Sequence, residues 1–257
     1  LNDDLDRVRI RSASDFEKIG IVMRLGCAAE HIDFAGKTVY GRTDAGAAFA
    51  EPYDRLLIAS GASARVLDVP GADKRNIFTL KIPQDAEQLR AAIERTRGRV
   101  IIVGGGAIGL ELAEACLLQK VRSLRVVEAA GQLLPGFDGA FALAARDELV
   151  RHGAHVQLGE RVTAFSGGEA VSRVATDKGG YDADVVIVSA GVVPSTAFAE
   201  GLERLPNGAI VTDGAMRTSE PDVFAAGDCA SVWHALLQRP VYLPLGIYAN
   251  KQGRLAG

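Results

Sequence analysis

The stretch RVIIVGGGAIGLELAEA, residues 99–115, constrains the fold more than any other part of this 257-residue chain. A short apolar run enters three consecutive glycines, and a segment rich in Leu, Glu and Ala follows, which reads as strand, tight turn and helix. Gly104, Gly106 and Gly109 meet the spacing G-x-G-x-x-G. Gly104 lets the chain turn sharply out of the strand, and Gly106 removes the Cβ that would keep a pyrophosphate from the backbone. Gly109 lets the helix pack close to the strand, while the amides and dipole of the helix N-terminus hold negative charge.

The patterns around this turn alternate strictly. Residues 100–103 predict a strand, 107–119 a helix, 123–127 a strand, 140–152 a helix ended by Gly153, and 154–159 a strand. This βαβαβ order predicts a doubly wound α/β fold, a parallel sheet with helices on its faces. Before it, residues 83–98 have apolar positions at 86, 89, 92 and 93, an amphipathic helix closed by Gly98. After it come a hairpin-like stretch, 161–181, with turns at Gly167-Gly168 and Gly179-Gly180, and a continuous apolar strand, 183–191, buried on both sides. Residues 1–60 alternate β-like runs (20–25, 37–41 and 53–60) with turn signals.

One internal echo bears on domain organisation. YDRLLIASGASAR from Tyr53 and YDADVVIVSAGVVPS from Tyr181 are both Tyr-Asp, an apolar strand, and a small-residue turn with Ser and Gly. The chain therefore reads as parts of two similar sheets: a complete unit, 84–206, inserted into another whose pieces are 1–83 and 207–257.

Glu128 stands at the end of the strand after the glycine turn, where an acid accepts from the adenine ribose hydroxyls. A carboxylate there repels a 2′-phosphate, which favours NAD over NADP. Arg122 and Arg125 lie near enough to leave NADP open, and other adenosine ligands, S-adenosylmethionine among them, use similar turns.

Composition excludes several function classes. Net charge is −3 with acids and bases interspersed, without the basic stripe a nucleic-acid binder needs. The longest apolar runs, such as 185–193, fall far short of the ~20 residues of a membrane span. The opening Leu-Asn-Asp-Asp has no basic n-region or apolar h-region, so the expectation is a cytoplasmic protein without a secretory signal. Cys27, Cys116 and Cys229 are widely spaced, with no C-x-x-C pair and no histidine at zinc-ligand spacing. His152 and His155, flanking Gly153, read as loop residues, as do His31 and His234; no metal site is expected.

Together, YDRLLIASGASAR, IIVGGGAIGLELAE, Phe137-Asp138, SEPDVFAAGDCA (219–230) and PLGIYANKQGRLAG (244–257) resemble the FAD-dependent pyridine nucleotide-disulfide oxidoreductases. Within that family the likeness is to the branch of NADH oxidases, NADH peroxidases and coenzyme A-disulfide reductases. The resemblance covers nearly the whole chain and implies FAD and NAD(H) as cofactors. It implies that Asp228 hydrogen-bonds the FAD ribityl and pyrophosphate region, with Gly227 allowing close approach. Ser60 and Gly61 match the turn closing over the FAD side, with Ser in place of the usual Thr, and Gly191 matches its counterpart beside the nicotinamide nucleotide. Ile108 and Glu111 match positions near the nicotinamide and flavin; Leu245 to Gln252, through Ala249, matches the segment whose amides face the flavin pyrimidine.

The family also has an N-terminal G-x-G-x-x-G unit for the ADP half of FAD, a redox cysteine soon after it, and a C-terminal dimerisation domain. None of these is matched here, and Cys27, Cys116 and Cys229 each fall outside the redox position. The chain is thus expected to be a fragment that retains the NAD site, without a catalytic residue of its own. The parent is expected to be a homodimeric flavoenzyme passing hydride from NADH to FAD and on to a disulfide, peroxide or oxygen. The alternatives are a nucleotide-binding or regulatory module without turnover, and a flavin reductase serving a ferredoxin-like partner.

Overall fold

The computed structural model describes residues 11–257, so the reading of the opening Leu-Asn-Asp-Asp lies outside the described residues. The chain divides into two compact units, one of the residues through Ala62 together with Val193–Gly257, the other Ser63–Val192. The junctions thus fall at 62/63 and 192/193, not at the expected 83/84 and 206/207. At the first junction the reason is pairing: the short strand Ile77–Phe78 is hydrogen-bonded in parallel to Val186 and Ile187, which makes it the edge of the second unit's sheet; at the second, Ala199 and Leu202 pack with Ile58 and Val223 in the first unit's core.

That sheet has five strands in the order Ile77–Phe78, Val185–Val188, Arg99–Val103, Ser123–Glu128, His155–Leu158, all parallel. From Arg99–Val103 the later strands are laid first to one side and then, with Val185–Val188, to the other. The carboxyl ends of these two neighbouring strands border the crevice where open α/β sheets take ligands. Alternate residues face opposite layers. Val100, Ile102, Leu124, Val126, Val185 and Ile187 pack with Leu89, Ala92, Ile93, Ala113, Cys116 and Leu149 of the helices Pro83–Thr96, Ala107–Leu118 and Gly139–Arg151. Ile101, Val103, Val127, Val186 and Val188 face the antiparallel sheet Val162–Gly167, Val171–Thr176, Gly179–Asp182. The parallel α/β sheet is as the sequence predicts; the layer on its second face is this antiparallel sheet.

Two local expectations in this unit need correction. The helix predicted over 83–98 starts with Pro83 at its first position, Asp85 accepting from the Ile82 amide at 3.0 Å, but it ends at Arg97, which takes the left-handed conformation (φ 40°). Gly98 has another task, because a Cβ there would collide with the Asp184 carboxylate. The turn assigned to Gly179-Gly180 is made by Asp177 and Lys178, and the glycines open the strand Gly179–Asp182 opposite Thr176 and Ala175.

In the first unit, the run 20–25 forms no strand. Ile21, Val22 and Leu25 are exposed, and pairing begins only at Cys27–Asp33, which is antiparallel to Thr38–Thr43, itself paired with Ala48–Pro52. The run 53–60 contributes a three-residue strand, Leu56–Ile58, parallel to Val223–Ala225. Ile58, Val223, Ala225, Ile210, Leu202 and Cys229 form the core of this unit, whose last element is the helix Gly246–Ala256.

Candidate nucleotide-binding site

The second unit places its glycine turn at the carboxyl end of Arg99–Val103. Gly104 has φ +112°, in the region open chiefly to glycine, and a Cβ on it would run into the Ser189 carbonyl. Gly109, buried in the first turn of Ala107–Leu118, abuts the Gly104 carbonyl closely enough that any Cβ would clash. A Cβ on Gly106 would meet nothing within 4 Å, so this position faces open space. Two of the three glycines, Gly104 and Gly109, thus sit where the protein packs closely on itself, and Gly106 faces open space.

The helix N-terminus beside that space has no acid of its own. Its cap residue is Gly106, no side chain caps it, and its first turn holds no acid. The helices Pro83–Thr96 and Gly139–Arg151, by contrast, have Asp85 in the first turn and Asp138 accepting from the Ala140 amide. Four amides at the start of any helix lack intrahelical acceptors, so an uncapped, acid-free end is matched to an anion.

Glu128 closes the neighbouring strand and reaches back to the turn. Its carboxylate accepts from the Gly105 amide and the Ala130 amide, each at 2.6 Å. Gly105 also accepts from the Leu134 amide at 2.8 Å, so the middle of the turn is clamped on both sides. Each Glu128 oxygen keeps lone-pair capacity toward a ribose hydroxyl. Ile108 and Glu111 lie exposed on the same helix, and Gly191 has φ +90° with its carbonyl accepting from Arg65. Arg125 does not extend toward this end; its guanidinium stacks 4.0 Å over the Tyr181 ring.

The first unit gathers the remaining predicted residues. Ser60 donates to the Ser195 carbonyl at 2.6 Å, and Gly61 (φ +68°) accepts from the Ser195 amide. Gly227 (φ +81°) follows the strand Val223–Ala225, and its Cβ position lies 3.7 Å from Ala249, in the helix that Leu245 starts without a side-chain cap and without an acid in its first turn. Three side chains near Asp228 escaped sequence reasoning. Buried Gln252 accepts from the Gly227 amide at 2.8 Å and donates to the Ser231 carbonyl at 3.0 Å, and Tyr242 donates to the Asp228 carbonyl at 2.9 Å. Ser231, also buried, accepts through its hydroxyl from the Thr212 amide. Burial, with Asp228 and Cys229 nearby, pushes the Tyr242 hydroxyl up to about 12. A signal for Gln252 was available in its spacing, one helical turn from Ala249 on the same face.

Cys116 and Cys229 are buried and fit structural roles, and Cys27 is exposed. Burial pushes the Cys116 thiol up to about 11, leaving little thiolate, and Cys229 donates to the carbonyls of Ile58 and Ala226. His152 bonds Glu148 at 3.0 Å, and among the described residues no group of three or more His, Cys, Asp or Glu is placed to hold a metal ion. Nor is any described helix long and apolar enough to cross a membrane.

The model of the pyridine nucleotide-disulphide oxidoreductase family matches residues 5–253. The chain belongs to this family. An NADH oxidase of Lactococcus lactis subsp. cremoris is 32% identical over 256 residues, covering 98% of this chain and 57% of its own length. A CoA-dependent NAD(P)H sulfur oxidoreductase of Pyrococcus abyssi is 38% identical over 208 residues, covering 80% of this chain and 46% of its own. The NADH-bound, water-forming NADH oxidase of Lactobacillus brevis superposes with a TM-score of 0.94 at 31% identity, covering 99% of this chain and 57% of that one. The chain thus spans about half the length of the curated family members it matches.

Proposed function

We propose that this chain is the nucleotide-handling part of an FAD-dependent oxidoreductase that takes hydride from NADH and delivers electrons to a disulfide, peroxide or oxygen. The observation that carries the reading is the turn Gly104–Gly109, with open space at Gly106, an uncapped helix end, and Glu128 at the adjacent strand end. Gly106 and the amides opening Ala107–Leu118 hold the NADH pyrophosphate. Glu128 accepts from the adenine ribose 2′-hydroxyl and repels a 2′-phosphate, which sets NADH above NADPH. Gly191, Ile108 and Glu111 border the nicotinamide side.

The FAD side is served by Ser60, Gly61, Gly227 and Asp228, and by the helix end at Leu245 through Ala249. That helix end suits the flavin pyrimidine, because amide donors and the positive end of a dipole stabilise negative charge there. When bound, the two cofactors supply hydride transfer and electron carriage; this chain contributes binding, orientation and charge stabilisation. The sequence holds one G-x-G-x-x-G, at Gly104–Gly109, so the residues present fit the flavin half of FAD and the whole of NAD. The three unpaired cysteines, Cys27, Cys116 and Cys229, fit a reducing, cytoplasmic compartment, and the family resemblance supports a homodimer for the full-length protein.

Purified full-length protein is expected to be yellow, to bleach anaerobically on addition of NADH, and to bleach more slowly with NADPH. A colourless protein, or a yellow one that NADH leaves unchanged, overturns the reading.

A further inference from the structure

The only buried residue of the helix Gly246–Ala256 is a glutamine, Gln252, which is 4% exposed. An apolar side chain would anchor a helix at lower cost, since a buried amide is tolerated only when its donors and acceptors are matched. Gln252 is matched on both ends: its oxygen accepts from Gly227 at 2.8 Å and its nitrogen donates to the Ser231 carbonyl at 3.0 Å. The same carbonyl accepts from the Thr212 hydroxyl at 3.0 Å. Gly227 immediately precedes Asp228 at φ +81°. Its carbonyl accepts from the Ala230 amide at 3.0 Å inside the turn, and its amide donates outward to Gln252, which ties the turn to the helix.

We propose that Gln252 is a positioning residue, which fixes the Gly227–Asp228 turn against the helix Gly246–Ala256 and so holds the two flavin-facing groups of this unit in register. The inference rests on the reading that this turn and this helix end face FAD. The bridge requires one group that accepts and donates at once. A neutral amide does so and a protonated carboxyl does so, but a carboxylate only accepts, and would face the Ser231 carbonyl without a proton between them.

Q252E in the full-length protein therefore contains its own control. At pH 8 it is expected to bind FAD about tenfold more weakly than wild type, as the loss of a buried hydrogen bond implies, and to recover toward wild type as pH falls to 5. Q252A is expected to stay weak throughout. The other titratable groups around the bridge are Asp228, Cys229 and Tyr242, with Tyr248, Lys251 and Arg254 on the helix itself; they are common to wild type, whose own FAD affinity over the same range is the baseline. NADH affinity should stay within about twofold in both variants, and if Q252A does not fold, the two pH values of Q252E still decide. Wild-type FAD affinity in Q252E at pH 8, or a loss that pH 5 does not relieve, overturns the proposal. Amide exchange at Gly227 in flavin-free protein separates this from the underlying reading. A wild type that binds no FAD refutes the flavin reading, and faster Gly227 exchange in the variants then shows the bridge intact in wild type all the same.

Discussion

The two turns that carry the candidate cofactor contacts are fixed by different physics. Gly104–Gly109 is held by the absence of side chains: Gly104 and Gly109 sit where a single carbon would collide with the Ser189 and Gly104 carbonyls. Gly227–Asp228 is held by side chains from elsewhere, Gln252 and Tyr242, through hydrogen bonds. A turn fixed by sterics breaks when atoms are added. A turn fixed by hydrogen bonds breaks when polarity changes at constant size, which is why Q252E is informative there and a glycine substitution is informative at the other.

The largest effect is expected from Gly109→Ala. The added carbon meets backbone that cannot swing aside, and overpacking of this kind costs ~1–3 kcal/mol, with NADH affinity lost as the turn deforms. Gly106→Ala adds the same carbon into open space at φ −76°, a conformation alanine adopts freely. Its stability should change by less than about 0.5 kcal/mol, yet NADH affinity should fall because the carbon occupies the pyrophosphate's approach. Urea unfolding and NADH titration of both variants check the pair. Equal losses of stability would erase the distinction between packing glycine and ligand glycine.

Glu128→Ala comes next. It strips an acceptor from the buried side of the turn, leaving the Gly105 and Ala130 amides to find others, at ~1–2 kcal/mol. NADH binding should weaken and discrimination against NADPH relax, since the group that repels a 2′-phosphate is gone. Unchanged titrations with both nucleotides would show that Glu128 serves the turn alone.

These contrasts explain what was legible in the sequence. Glycine spacing, strand–helix alternation and the acid at the end of Ser123–Glu128 are local signals with steric causes, and the sheet, its three helices and the glycine turn followed from them. The strand Ile77–Phe78 did not, because two residues become a strand only by pairing with Val186 and Ile187, a partner far along the chain. For the same reason the run 20–25, apolar enough for a strand, has none to pair with among the described residues. Gln252 was passed over since its spacing from Ala249 marks a shared helix face but not that its amide bridges two backbone groups. Gly98 shows the converse error: it follows a helix, as a terminating glycine would, but the space it leaves is for Asp184.

That space supports the smallest of the expected effects, at the amino end of the sheet, opposite the glycine turn. Asp184 accepts from the Arg99 amide at 2.7 Å and from its guanidinium at 2.8 and 3.1 Å. These bonds, the guanidinium first, hold the Asp184 carboxyl below the ordinary carboxylate value. A carboxyl depressed in the folded state adds stability that is present above its unfolded value, ~3.9, and is lost as pH falls through the folded one. Both side chains are a third exposed, so solvent screening limits the contribution to below about 1 kcal/mol. Asp184→Asn should therefore lower stability slightly at pH 7, with the gap to wild type narrowing as pH falls to 2, while NADH affinity stays unchanged. Urea unfolding of the two proteins at pH 7 and pH 2 measures the difference between their slopes. A matching slope would place the sheet's acid sensitivity in other carboxylates, and a loss of NADH affinity would mean that the two ends of Arg99–Val103 are coupled, contrary to a turn fixed by its own glycines.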